Sequence, residues 1–171
     1  ALTAEEKGLQ GATYYAANPL APLEKTAAVL NIEMLSPDGP NRDIASWGNG
    51  RVSLEGDLKR VAEAHGRTYS PDPNLEAGFF YRADHFAFAR AGVPAITVGA
   101  GLDRIDGGVA SGKALRDAYF AKCYHQPCDA WTSSWDAGGQ AQDVALLYAL
   151  GRDIADGRAW PRWLNGSAFK T

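Results

Sequence analysis

Two apolar, partly β-branched runs constrain this chain more than any other feature: residues 26–34 (TAAVLNIEM) and 95–101 (AITVGAG). Runs without polar alternation read as strands buried on both faces of a parallel or mixed sheet. Amphipathic stretches surround them. Residues 54–65 place Leu58, Val61, Ala62 and His65 at helical spacing, with Gly66 as the stop and His65 as a structural residue of the last turn. Residues 8–17 predict a helix that Asn18-Pro19 ends, and 141–156 a long one burying Val144, Leu147, Leu150, Gly151 and Ile154, with Ser134 as a cap upstream. A short strand is expected over 43–47, a short helix capped by Asp84, a surface loop over 103–112 and a modest helix over 113–121. Residues 76–81 (EAGFFY) read as a loop or strand edge, and the two Trp residues of 160–171 as a lid that packs back. Strands alternating with helices give an α/β class, a three-layer α/β/α domain around a mostly parallel mixed sheet.

At 171 residues and 46% hydrophobic content the chain is sized for one domain, 1–171, with a real core. A net charge of -3, with scattered Lys and Arg, gives no electrostatic case for nucleic acid. No apolar run is long enough to span a bilayer, so no membrane span is expected. The sequence opens at Ala1 and holds a single Met, which suggests a piece of a longer product. Cys123 and Cys128 bracket Tyr124-His125-Gln126-Pro127 and admit a small-loop disulfide, two thiols or half a zinc site. A Pro-containing turn that brings the two Cβ atoms together favours the disulfide, and with it an extracytoplasmic setting, periplasmic or secreted.

Three places put ionisable side chains at strand ends or in adjoining loops. Glu5-Glu6 sets two carboxylates side by side, a pair that repels unless a metal, a proton or open water relieves it. The same stretch, Thr3-Ala4-Glu5-Glu6, also spells the capping box of a solvated helix start. Glu33 is a charge at the end of an apolar strand, costly unless it is paired, metal-bound or able to reach solvent. His125 is the third. A hydrolytic zinc centre needs His and carboxylate ligands, an open position and one more carboxylate to take a proton from water. The glycines of 99–101 match no phosphate loop, since neither G-x-G-x-x-G nor a following Lys-Ser/Thr is present.

Four blocks in one order carry a more specific likeness: TAEEKGLQGATYYAANP, NIEM, RADHFAFARAGVPAITVGAG and YHQPCD. Together they resemble metallopeptidase family 28, the di-zinc aminopeptidases that also include glutamate carboxypeptidase II. The resemblance implies the C-terminal part of a zinc-exopeptidase domain with its N-terminal strands missing. It makes Glu5 the general base, Glu6, Glu33 and His125 ligands of a two-zinc site, and a peptide the substrate. Asp84 and His85 match the family's Asp-His pair and are expected to support the site from behind; Tyr81 and Arg82 are expected to line the substrate pocket and Tyr124 to pack beside His125. In the family's reaction zinc polarises the scissile carbonyl, the base takes a proton from the attacking water, and that proton reaches the departing amine.

Two departures stand out. Glu33 occupies a place the family usually gives to Asp, and the family's first zinc-binding His and its bridging Asp lie upstream of the Glu-Glu pair, outside these residues. The expectation is therefore a zinc aminopeptidase of which these 171 residues alone have little or no activity. A noncatalytic binding domain on the same fold and a glutaminyl cyclase-like acyltransferase with one zinc are the alternatives.

Overall fold

The computed structural model describes residues 2–169. Four strands, β1 (Val29–Ile32), β2 (Asp43–Ser46), β3 (Thr68–Ser70) and β4 (Ala95–Ala100), form one sheet in the order β1-β4-β2-β3. The β1–β4 and β2–β3 pairs are parallel, and the central β2–β4 pair is antiparallel. Among the described residues five helices flank the sheet: α1 (Gln10–Ala17), α2 (Leu54–Ala64), α3 (His85–Arg90), α4 (Gly108–Lys122) and α5 (Ala137–Asp156). This is the expected α/β class, with helices on both sides of a mostly parallel sheet.

The central strands β2 and β4 are buried because both faces are covered. Ile44, Ile96 and Val98 pack with Leu54, Leu58 and Val61 of α2 and with Leu146, Leu147 and Leu150 of α5. On the other side Ala12 of α1 meets Ala87 and Phe88 of α3. Strand β1 departs from expectation. It is half-buried, pairs only with β4 among the described residues, and leaves Ile32 54% exposed. Its apolar run reflects one covered face and an open edge instead of two covered faces.

The helix ends correct the sequence reading in several places. Thr3 caps nothing: Glu5–Lys7 is a single 3-10 turn whose preceding residue, Ala4, is left-handed with no side-chain cap. Asp84 precedes α3 as expected but makes no capping hydrogen bond. The α4 helix begins at Gly108, inside the stretch expected to be loop, and α5 starts four residues early, capped by Asp136, whose Oδ1 accepts from Gly138 N at 2.8 Å. On α5 the buried positions are Gly139, Asp143, Leu146, Leu147 and Leu150, while Val144 is 47% exposed. Asp143 turns the helix because it pairs with Arg67 at 2.8 Å, both side chains nearly inaccessible. In the tail Trp163 is buried and donates from Nε1 to Gly92 O at 2.9 Å, whereas Trp160 stays exposed; the last two residues of the expected lid lie outside the described residues.

The loop after β4 is fixed by Asp43, at the start of β2. Its carboxylate accepts from Leu102 N, Asp103 N and Ser70 Oγ at 3.2, 2.8 and 2.7 Å. Gly101 has to be glycine here, because any Cβ would collide with that carboxylate. Asp43 thus ties the ends of three strands together and sets the edge from which α4 departs.

Candidate active site

Glu5, Glu6, Glu33 and His125 line one open cavity of about 600 Å³, together with Trp47, Phe79, Tyr81, Arg82, Tyr124 and others. They arrive from three elements: the 3-10 turn before α1, the end of β1, and the loop after α4. Backbone conformation is unusual at each of these. The non-glycine residues with positive φ are Ala4 (56°), Leu9 (57°), Met34 (51°) and His125 (58°). Ala4 and Met34 flank candidate site residues, His125 is one, and Leu9 lines the same cavity. Left-handed backbone costs an L-residue roughly 1–2 kcal/mol, so it persists where the surroundings enforce it, and such residues cluster at functional sites. The acid pair is further held by the close seating of Thr3 on α1: Gly11 N donates to Thr3 O at 2.9 Å, and a Cβ on Gly11 would strike that backbone.

His125 Nε2 lies 3.2 Å from Glu6 Oε1, with the two side chains 50% and 67% exposed. The imidazole stacks on Tyr124 at 3.9 Å between centroids, and Tyr124 in turn packs against Phe120 and edge-on to Phe79. The carboxylates crowd one another. Burial, then Glu6 and Asp84, push the Glu5 carboxyl above its ordinary value, with His125 pulling the other way. Burial, then Glu5, push Glu33 from 4.5 to about 7, against the opposing hydrogen bond from Asn31. Among the described residues no group of three or more His, Cys, Asp or Glu closes round one metal position.

The two residues expected behind the site do different things. Asp84 is half-buried, its carboxyl raised by burial, and its Oδ1 has no hydrogen-bond partner among the described residues. His85 does not reach the cavity. It is 0% exposed, edge-on to Phe80 at 4.7 Å, and burial lowers it to about 3, so the ring is neutral. Its Nδ1 meets Thr97 Oγ1 at 2.5 Å, and Thr97 Oγ1 accepts from Asn31 Nδ2 at 3.2 Å. The same Nδ2 donates to Glu33 Oε2 at 3.3 Å, so His85 touches the cavity only through a chain of polar groups that ends on Glu33. Of the aromatic run, Phe79 and Tyr81 line the cavity and Phe80 belongs to the core. Arg82 lies over Phe79 at 5.7 Å, and Tyr81 accepts from Arg51 at 3.0 Å through its hydroxyl.

Asn31 and Trp47 escaped the sequence reading. Asn31 carried a usable signal, since it is a polar residue inside an apolar strand, the same anomaly that marks Glu33. Trp47 reads as the end of a short strand, yet it lines the acidic cavity and a second, more apolar one of about 390 Å³. Phe79 also belongs to both, and Met34, Leu102, Leu115 and Phe120 line the second.

A sheet with a carboxylate-and-imidazole cavity at a strand end belongs to the α/β proteins that bind ligands at such edges. The chain belongs to peptidase family M28, whose model matches residues 1–149. Among solved structures it is similar to an aminopeptidase from Aneurinibacillus sp. strain AM-1, with 22% identity and a TM-score of 0.56 over 90% of this chain and 32% of that one. It is also similar to the Legionella pneumophila LapA aminopeptidase, with 16% identity and a TM-score of 0.60 over 91% and 38%. These likenesses are of fold, and the chain spans only about a third of either structure's length. No curated protein sequence matches it.

Proposed function

We propose that the chain is the C-terminal part of the catalytic domain of a zinc aminopeptidase, with Glu5 as general base and Glu6, Glu33 and His125 as zinc-holding residues. The contact between Glu6 and His125 carries this reading, because a carboxylate and an imidazole 3.2 Å apart beside two further acids form a zinc-type donor set. The residues present fit zinc. Glu33 is crowded by other acids, as expected of a carboxylate awaiting a cation. Glu6 and His125 would hold one ion and Glu33 a second, with the remaining ligands supplied from outside these residues, so that this piece alone is inactive.

Bound zinc supplies Lewis-acid polarisation of the scissile carbonyl and acidifies water. Glu5, half-buried on its turn, takes the proton from the attacking water and hands it to the departing amine. Burial and the neighbouring acids raise its carboxyl above the ordinary value, which makes it a stronger base. The acidic wall also attracts the free ammonium of a peptide N-terminus. The neighbouring apolar cavity, reached past Trp47 and Phe79, receives a side chain of the substrate. The bridged cysteines suit an extracytoplasmic enzyme.

The test is cleavage of aminoacyl-arylamides by the full-length protein, alongside metal analysis of Glu5→Gln and Glu6→Ala. Glu5→Gln is expected to keep zinc and lose roughly 100- to 10,000-fold in kcat; Glu6→Ala is expected to lose zinc. A zinc-loaded protein that cleaves nothing, or that keeps its full zinc content without Glu6, overturns the reading.

A further inference from the structure

His125 sits in a loop, held outside any regular element. Between α4 and α5 there is no helix or strand, and the imidazole projects from a residue with φ 58°, a conformation an L-residue rarely holds unaided. The loop's own hydrogen bonds around it are backbone ones, Cys123 N and Tyr124 N to Tyr119 O at 2.8 and 3.1 Å, Gln126 N to Cys123 O and Asp129 N to Gln126 O at 2.9 Å, with the Tyr119 hydroxyl to Asp129 at 2.8 Å. The one covalent constraint is the disulfide between Cys123 and Cys128, with Cα atoms 5.2 Å apart. It closes a small ring with His125 inside it. One side of that ring faces Glu6, and the sulfur-bearing residues border the second cavity, Cys128 being exposed and Cys123 half-buried.

We infer that the Cys123–Cys128 disulfide is the positioning device for His125, and that its reduction by a small thiol weakens zinc binding at the acidic cavity. The inference rests on the reading of Glu6 and His125 as zinc-holding residues. Reduction starts with a thiolate attacking the exposed Cys128 sulfur, which breaks the bridge, forms a mixed disulfide at Cys128 and releases Cys123 as a thiolate. A second thiolate attacks the mixed disulfide and frees Cys128. Two thiols are oxidised to one small disulfide, and their two electrons and two protons end on Cys123 and Cys128 as thiols. With the ring open, Tyr124 still packs on Phe120, but the turn bearing His125 loses the tie to its far end. Groups that orient a metal ligand are typically worth 10- to 100-fold in affinity.

The test is zinc affinity of the full-length protein, measured by competition with a chromophoric chelator. The samples are the oxidised protein, Cys123→Ala/Cys128→Ala, and oxidised protein reduced with glutathione, alkylated with iodoacetamide and desalted. Both altered forms are expected to bind zinc roughly 10- to 100-fold more weakly, and the alkylated form tests the idea in protein that had already folded. His125→Ala should cause a comparable loss in the oxidised protein and little more in the double-alanine background. A lower Tm with zinc affinity unchanged makes the bridge a stabiliser only and overturns the inference. Loss of zinc with His125→Ala but not with the double alanine sinks the positioning role while leaving the proposed function standing. Unchanged zinc affinity in His125→Ala removes both.

Discussion

Oγ1 of Thr97, on the central strand β4, lies 2.5 Å from Nδ1 of the fully buried His85. The imidazole is neutral because burial lowers it from 6.5 to about 3. Below pH 6.5 the unfolded chain takes up a proton here and the native one does not, so this contribution is complete above 6.5 and fades as pH falls toward 3. Urea unfolding of the metal-free protein should show a midpoint that drops between pH 7 and pH 4, and a shallower drop in His85→Gln. Equal slopes in the two proteins would contradict the assignment.

Glu33 works in the opposite direction. Its carboxyl is raised from 4.5 to about 7, so in metal-free protein its contribution is complete below 4.5 and lost as pH rises through 7. Glu33→Gln should therefore melt higher than wild type at pH 8 and lose that advantage at pH 4.5. Differential scanning calorimetry after chelation reads this directly.

Asn31 bridges Glu33 and Thr97 with one amide nitrogen. Replacing it with Ala removes the only side chain that hydrogen-bonds Glu33 among the described residues, and full-length Asn31→Ala should bind zinc about ten-fold more weakly. Isothermal titration calorimetry of Asn31→Ala against Asn31→Asp separates the lost orientation from an added charge.

The ion pair between Arg67 and Asp143 is buried at both ends. Burial raises Asp143 even though Arg67 pulls it down, which marks a charge that depends on its partner. Arg67→Met is predicted to cost about 3–5 kcal/mol of stability, and Arg67→Met/Asp143→Leu to recover most of it. Guanidinium unfolding midpoints for the single and double variants check this.

Phe120 packs between Phe79 and Tyr124 and lines the apolar cavity. Phe120→Ala should lower kcat/KM for a leucyl-arylamide by about ten-fold, equivalent to ~1.4 kcal/mol, and leave an alanyl-arylamide much less affected. Equal losses on both substrates would exclude Phe120 from contact with the side chain.

Local signals carried the α/β class and most elements, because runs such as 95–100 and the stripe of Leu58, Val61 and Ala62 record their burial in their own spacing. Glu5, Glu6, Glu33 and His125 were legible one by one, as charges or an imidazole where an apolar pattern ends. Their convergence on one cavity could not be read from spacing, since it depends on pairings between segments far apart in sequence, and was expected only through the family resemblance. Strand β3 was missed because three residues, Thr68–Ser70, are too few to show a period. Val144 and Leu146 exchanged roles on α5 because Asp143, a charge by type, is interior through Arg67. Three of the left-handed residues were hidden for a related reason: Ala4, Leu9 and Met34 are not types that announce such a backbone.

Beyond β1 lies a row of amide and carbonyl groups that no neighbouring strand engages among the described residues, beside a half-covered Val29 and Leu30 and an uncovered Ile32. Such a rim is a template for any extended segment that comes near. By themselves these residues would tend to stack rim to rim or recruit foreign strands, so solution work on them calls for dilute samples, or for a lysine placed at Ile32 to discourage the pairing.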